Sequence, residues 1–107
     1  MYIGVFLEEK KHRLLKTALE KALVAEGHLC TMMSEKADII ITDKNKPDRA
    51  RNGVPVTRIT QSWCGVAGAS GMHLSGDVND RVETIFMVIN RSYAGFMFPS
   101  SALPATA

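Results

Sequence analysis

Acidic residues follow two of the apolar runs in this chain, and their types and positions could do carboxylate chemistry. Asp43 comes directly after the β-branched run at 39–42, and Glu8 and Glu9 follow the apolar run at 2–7. Both runs are typical of buried strands. In an open parallel sheet, ligands and reacting groups gather beyond the carboxyl ends of the strands, so we expect these carboxylates at one edge.

Three carboxylates at one sheet edge form a candidate metal site. Hard cations such as Mg²⁺ prefer carboxylate oxygens, so Glu8, Glu9 and Asp43 could bind one. Each also has a plainer interpretation. Asp43 could pair with Lys44 or Arg58, and the two glutamates could simply open a helix, where the helix dipole favours negative charge.

Strands and helices alternate along the part of the chain that would position these carboxylates. The pattern predicts strands at 2–7, 28–33, 38–42 and 54–60, a short strand at 71–74, and helices at 12–26 and 77–90. Gly27 is expected to stop the first helix and Asp77 to cap the second, which should pack beside the first. With right-handed crossovers, this order gives an α/β fold with a flavodoxin-like, doubly wound parallel sheet of about five strands.

Size and composition predict one folded domain at 1–90, followed by a partly disordered linker at 91–107. The chain has 107 residues, 46% of them hydrophobic and 22% charged, and a net charge of +2 that gives no reason to expect nucleic acid. No apolar stretch predicts a membrane span and no leader is recognisable, so we expect a cytoplasmic module without membrane contact. Cys30 and Cys64 fit neither a disulfide framework nor a zinc site, which favours inert thiols.

Several segments resemble the receiver domains of bacterial response regulators. The segment at 38–47 places Asp43 before a proline four residues on, residues 55–60 are similar to the Pro-Val-x-x-Leu-Thr segment of that family, and 68–71 is similar to its Gly-Ala-x-Gly. The resemblance implies that Asp43 is the phosphoacceptor, that the acidic pair would bind Mg²⁺, and that Thr60 lines the pocket.

The chain departs from the receiver pattern in chemistry and in architecture. Receivers carry a phosphate-binding lysine at the end of the fifth strand, where this chain has only the segment 72–77, without lysine or the following proline. Eleven residues separate Asp43 from Pro55 and seven separate Thr60 from Gly68, too few for the third and fourth helices. We therefore expect loops in place of both helices, as in the α/β/loop domain of the Rcs-type hybrid sensor kinase, which the chain also resembles.

A group of basic residues and one tryptophan are candidates for contact with a protein partner. The basic residues surround the loop after the third strand, and Trp63 lies in a segment, 61–70, that we expect to be a flexible loop because it contains Gly65 and Gly68. A solvated loop is the alternative interpretation, but a cluster in space would attract an acidic surface, with Trp63 as an anchor. The residues are Lys44, Lys46, Arg49, Arg51, Arg58 and Trp63.

These features together predict a non-catalytic, receiver-like interaction domain of a two-component phosphorelay, within a hybrid histidine kinase. Its partners would be the kinase core, a receiver or a response regulator, and no cofactor is required, although Mg²⁺ could bind. One alternative is an active but divergent receiver phosphorylated on Asp43, which a lysine such as Lys44 or Lys46 reaching the pocket would favour. Another is a sensor that binds a small phosphorylated ligand through the glycine-rich loop 65–71.

Three histidines, His12, His28 and His73, have no acidic partner at a recognisable spacing, so we expect them to be surface or half-buried residues.

Overall fold

The described part of the protein forms one six-stranded mixed sheet with two helices, which confirms the α/β class. The computed structural model describes residues 1–66 and 71–93. The strands are β1 (Tyr2–Phe6), β2 (Leu29–Thr31), β3 (Ile39–Thr42), β4 (Val56–Ile59), β5 (Trp63–Val66) and β6 (Met72–His73), and the helices are α1 (Glu9–Ala25) and α2 (Val78–Ser92). A short 3₁₀ turn, Ser34–Lys36, precedes β3. The strand order across the sheet is β2-β1-β3-β4-β5-β6.

The strands run parallel in one half of the sheet and antiparallel in the other. β2, β1, β3 and β4 pair in parallel, as the sequence predicts, but β4 pairs antiparallel with β5 and β5 antiparallel with β6. The flexible loop predicted at 61–70 is therefore wrong for β5. A tight turn explains this, since the Thr60 N–H donates to the Trp63 carbonyl at 2.7 Å and the Ser62 N–H donates to Thr60 Oγ1 at 3.3 Å.

Trp63 explains why glycine does not break the β5–β6 pair. Its indole ring lies over Gly65 and Gly71, so that a Cβ atom at either position would overlap the ring. A glycine in a strand has no side chain of its own to pack, and an aromatic neighbour lying across it supplies the missing contact. The tryptophan is still 38% exposed, so part of the indole faces solvent.

Both helices pack on the same face of the sheet, beside each other as predicted. Alternate strand residues point to that face and form one buried core with the apolar stripes of the helices. The core includes Ile3, Val5, Ile39, Ile41, Ile59, Cys64, Leu15, Leu19, Leu23, Val82, Ile85 and Ile89. A doubly wound sheet has helices on both faces, whereas the described residues place α1 and α2 on one.

At β3 the second face of the sheet is buried, although no helix among the described residues covers it. Ile40 and Thr42 point to this face and are 0% and 1% exposed. The prediction of a missing third helix is confirmed, because residues 43–55 contain only turns. Arg51 ties this loop back to the start of β3 through the Ala37 carbonyl and the Asp38 carboxylate, both at 2.9 Å. Only residues 60–62 separate β4 from β5, so no fourth helix lies there either.

The end of α1 and the start of α2 lie where the sequence predicts them. Gly27 has a φ of +86° directly after the last turn of α1, and Asp77 caps α2 by accepting the Asp80 N–H at 2.9 Å. The second helix extends past the predicted end at residue 90 to Ser92, so the predicted linker begins inside it. The rest of that linker, 94–107, lies outside the described residues. Within residues 1–66 and 71–93, neither helix is long and apolar enough to span a membrane.

Candidate functional site

A polar cavity lies where the carboxyl ends of β3 and β4 meet the first turn of α1. It has a volume of about 450 Å³ and contains both Asp43 and Thr60, which the sequence predicts at this edge. The parallel direction of β1, β3 and β4 brings the segments that follow them to one side of the sheet. The lining residues are Lys11, His12, Asp43, Ile59, Thr60, Gln61 and Ser62.

The Asp43 carboxylate is tied to the protein rather than open to solvent. Its Oδ2 accepts the backbone N–H of Glu8 at 3.0 Å and lies 3.6 Å from Nε2 of His12. The side chain is only 7% exposed. The second oxygen, Oδ1, is buried and has no hydrogen-bond partner among the described residues. One carboxylate oxygen thus anchors the start of α1, and the other is enclosed.

His12 is the site residue that the sequence prediction missed. It was expected at or near the surface without an acidic partner, but its side chain is 6% exposed and faces Asp43. The signal is present in the sequence: Leu15, Leu19 and Leu23 form the buried stripe of α1, and one step of three residues back from Leu15 reaches His12. The helix is also distorted there, with φ −129° and ψ 26° at His12.

The acidic pair does not join Asp43 in a metal site. Glu8 pairs with Lys11 at 3.9 Å, and Glu9, 79% exposed, pairs with Lys16 at 3.7 Å. Among residues 1–66 and 71–93, no three His, Cys, Asp or Glu side chains are grouped so that they could hold a metal ion. The contact between Glu8 and Asp43 runs through the backbone N–H of Glu8.

Among residues 1–66 and 71–93, the one ammonium group that lines the cavity comes from α1 rather than from the sheet. Lys11 is 62% exposed and can reach the opening, whereas neither Lys44 nor Lys46 is among the lining residues. At the position in β6 where the lysine of a receiver would be sought, His73 is exposed and lies outside the lining of the cavity.

No family model, no curated protein and no solved structure matches this chain.

The basic residues of the predicted partner surface are exposed, but Arg51 has a structural role. Its guanidinium binds Asp38 and the Ala37 carbonyl. Lys44, Lys46 and Arg49 are exposed in the β3–β4 loop and have no ion-pair partner among the described residues. Arg58 is exposed on the second face of the sheet, next to Gly65 in register, and therefore on the same face as Trp63.

The pair between Arg51 and Asp38 gives the fold a measurable acid dependence. Hydrogen bonds from the Tyr2 N–H and from Arg51 hold the pKa of Asp38 below its ordinary value of 3.8. The stabilisation from a lowered carboxyl pKa is present above the ordinary value and is lost as the pH falls through the folded-state value. We expect the Asp38→Asn variant to lose less stability than the wild type between about pH 6 and pH 3, by a small amount because the pair is exposed to solvent.

Urea unfolding at the two pH values measures this difference. The matched control is Asp48→Asn, which removes an exposed carboxylate in the β3–β4 loop, where Arg51 also lies. This variant should lose as much stability as the wild type on acidification. A wild type and an Asp38→Asn variant that lose equal stability on acidification would contradict the role given to this pair.

The remaining sequence candidates add no reactive group to the site. Burial raises the pKa of the Cys64 thiol to about 12, and burial together with Glu20 raises that of Cys30, so both thiols are protonated at neutral pH. In the proposed ligand loop 65–71, Gly65 and Gly71 are covered by Trp63, and residues 67–70 lie outside the described part.

Proposed function

We propose that this chain is a receiver-like interaction domain of a bacterial two-component phosphorelay that does not itself accept a phosphoryl group. It would be a cytoplasmic part of a hybrid histidine kinase and would contact the kinase core, a receiver or a response regulator. The observation that supports the proposal is the state of Asp43. This carboxylate follows the third strand as a phosphoacceptor would, yet it is buried and tied to Glu8 and His12.

Phosphoryl transfer to a carboxylate needs conditions that this site does not offer. An attacking oxygen must be accessible, and a metal ion and a cation must neutralise the charge of the phosphoryl group, because the protein catalyses the step by placement and electrostatics. Here one oxygen of Asp43 accepts a backbone N–H, the other is buried, and Glu8 and Glu9 pair with lysines. These contacts favour a structural role for Asp43.

The arrangement of the elements supports a flavodoxin-like origin with reduced helices. The order β2-β1-β3-β4 agrees with the first four positions of the flavodoxin-type order. A loop stands where the third helix of a receiver would lie, strand β5 occupies the place of the fourth, and α1 and α2 share one face. A fold that has lost these helices retains a scaffold for binding while losing the elements on which a phosphorylation switch depends.

The exposed basic residues indicate what kind of surface the partner would present. Lys44, Lys46 and Arg49 lie in the loop that begins beside the cavity, and none has an ion-pair partner among the described residues. Positive charges exposed in this way favour an acidic partner surface and accelerate encounter with it. Arg58 and Trp63 would extend the contact over the second face of the sheet.

An active, divergent receiver is the second candidate, and one observation favours it. Lys11 lines the cavity together with Asp43 and could supply the cation that a receiver takes from its fifth strand. Activity of this kind would require the carboxylate to leave the Glu8 N–H and to become exposed.

Incubation with acetyl phosphate and Mg²⁺ distinguishes these candidates. We expect intact-protein mass spectrometry to show no acylphosphate on the wild type, with Asp43→Asn as the matched control. Stoichiometric modification that is absent from Asp43→Asn would overturn the non-catalytic proposal. If Lys11→Ala also abolished that modification, the result would establish the active receiver with Lys11 as its cation.

A further inference from the structure

Strand β2 is an edge of the sheet without charged side chains or proline to guard it. Among the described residues its only strand neighbour is β1. Natural edge strands are guarded by short length, charged side chains, proline or bulges, and β2, which is three residues long, has only the first of these. The segment 28–33, His-Leu-Cys-Thr-Met-Met, contains no carboxylate, lysine, arginine or proline. Partial burial and the positive N-terminus lower the pKa of His28, which favours its neutral form.

The backbone of β2 has hydrogen-bonding groups available on its outer side. The Leu29 N–H donates to the Met1 carbonyl at 3.0 Å, and the two strands pair in parallel. In a parallel ladder, alternate residues bond to a given neighbouring strand, so Leu29 and Thr31 face β1. Cys30 lies between them, and its N–H and C=O therefore point away from the sheet, where another strand could bind.

Apolar side chains are exposed around this edge. Leu29 is 56% exposed and Met32 85%, and Met33 and Tyr2 are 46% and 45% exposed. Tyr2 and Leu29 are partners in register, so their side chains stand next to each other on the second face of the sheet. An edge with unpaired backbone groups beside exposed apolar side chains is a template for strand addition.

A second copy of the same chain is the occupant that fits this edge. Antiparallel pairing about a two-fold axis sets the segment 28–33 against itself, and because the segment is uncharged no like charges meet. The exposed apolar side chains of the two copies would meet in an interface smaller than about 1,200 Å², which is the size of a weak, transient one. The net charge of +2 opposes association only slightly.

We propose that two copies of this chain associate through β2, which pairs antiparallel with its symmetry mate and joins the two six-stranded sheets into one. The dimer is weak and forms as the concentration rises. It leaves the cavity around Asp43 free, since that cavity is lined by residues of α1 and by the segments that follow β3 and β4.

Sedimentation velocity over a concentration series from micromolar to millimolar, in a reducing buffer, tests the association. We expect the wild type to shift from monomer to dimer as its concentration rises. Leu29→Lys should stay monomeric over the same range, because its dimer dissociation constant is at least tenfold higher than that of the wild type. Leu14→Lys is the matched control, because Leu14 is 75% exposed on α1 and distant in sequence from the edge. Met32→Glu, at an 85% exposed position outside the strand, repeats the test without altering β2 itself.

Hydrogen exchange of the Cys30 amide tests the geometry of the dimer. Pairing through β2 predicts that this amide is protected increasingly as the concentration rises, and that Met32→Glu removes the added protection. A wild type that stays monomeric at millimolar concentration would overturn the proposal. A dimer that forms without protecting Cys30, or that is lost in Leu14→Lys but not in Met32→Glu, would overturn it as well.

Discussion

Replacement of Asp43 by alanine is expected to lower the free energy of unfolding by about 3 kcal/mol, the cost of removing one member of a buried polar pair. The change leaves the Glu8 N–H without its acceptor and His12 without its carboxylate, and both contacts secure the start of α1 to the end of β3. Asp43→Asn retains an oxygen that can accept the Glu8 N–H, so it should cost less than Asp43→Ala.

Urea denaturation of the two variants measures this cost, with Asp48→Ala as the control. Asp48 is an exposed carboxylate in the loop that follows, and its removal should change the free energy of unfolding by less than about 0.5 kcal/mol. A loss below about 1 kcal/mol in Asp43→Ala would show that the carboxylate is not a structural anchor.

Replacement of Ile40 by alanine is expected to destabilise the domain as much as the same change at Ile41, by about 2–5 kcal/mol each. The two residues point to opposite faces of β3, and only Ile41 belongs to the core that the helices cover. Both are nevertheless 0% exposed. The cost of deleting buried methyl and methylene groups depends on burial and on the cavity left behind, whether a helix or a loop supplies the cover.

Thermal and urea unfolding of the two isoleucine variants test the packing of the second face. Val24→Ala is the control, because Val24 is 58% exposed on α1 and should be nearly neutral. If Ile40→Ala lowered the free energy of unfolding by less than about 1 kcal/mol while Ile41→Ala lowered it by several, Ile40 would not be tightly packed beneath the loop.

The elements that depend on local sequence were predictable, and those that depend on distant pairing were not. The helical stripe of α1, the β-branched run of β3 and the Asp77 cap are all encoded within a few residues. The direction of β5 depends on the tight turn at 60–62 and on the indole that covers Gly65. Glycines in a sequence favour a loop because they supply no side chain to pack in a strand. The indole of Trp63 supplies that packing here, and no periodic pattern in the sequence indicates such a contact.

The candidate site was predictable in position but not in its contacts. An acid after a buried strand predicts a carboxylate at the sheet edge, and both Asp43 and Thr60 lie there. The contact with His12 joins residues 31 positions apart, so no local spacing encodes it. Only the alignment of His12 with the buried stripe of α1 could have suggested that the imidazole points inward.

The state of the Asp43 carboxylate is tested most directly by titrating the ¹⁵N-labelled protein with Mg²⁺ and beryllium trifluoride, a stable mimic of a phosphoryl group on a carboxylate. A buried and anchored Asp43 predicts no saturable change in the amide resonances of Asp43, Lys44 and Thr60. Saturable, Mg²⁺-dependent shifts of these three amides that disappear in Asp43→Asn would contradict the account and identify a working phosphoacceptor.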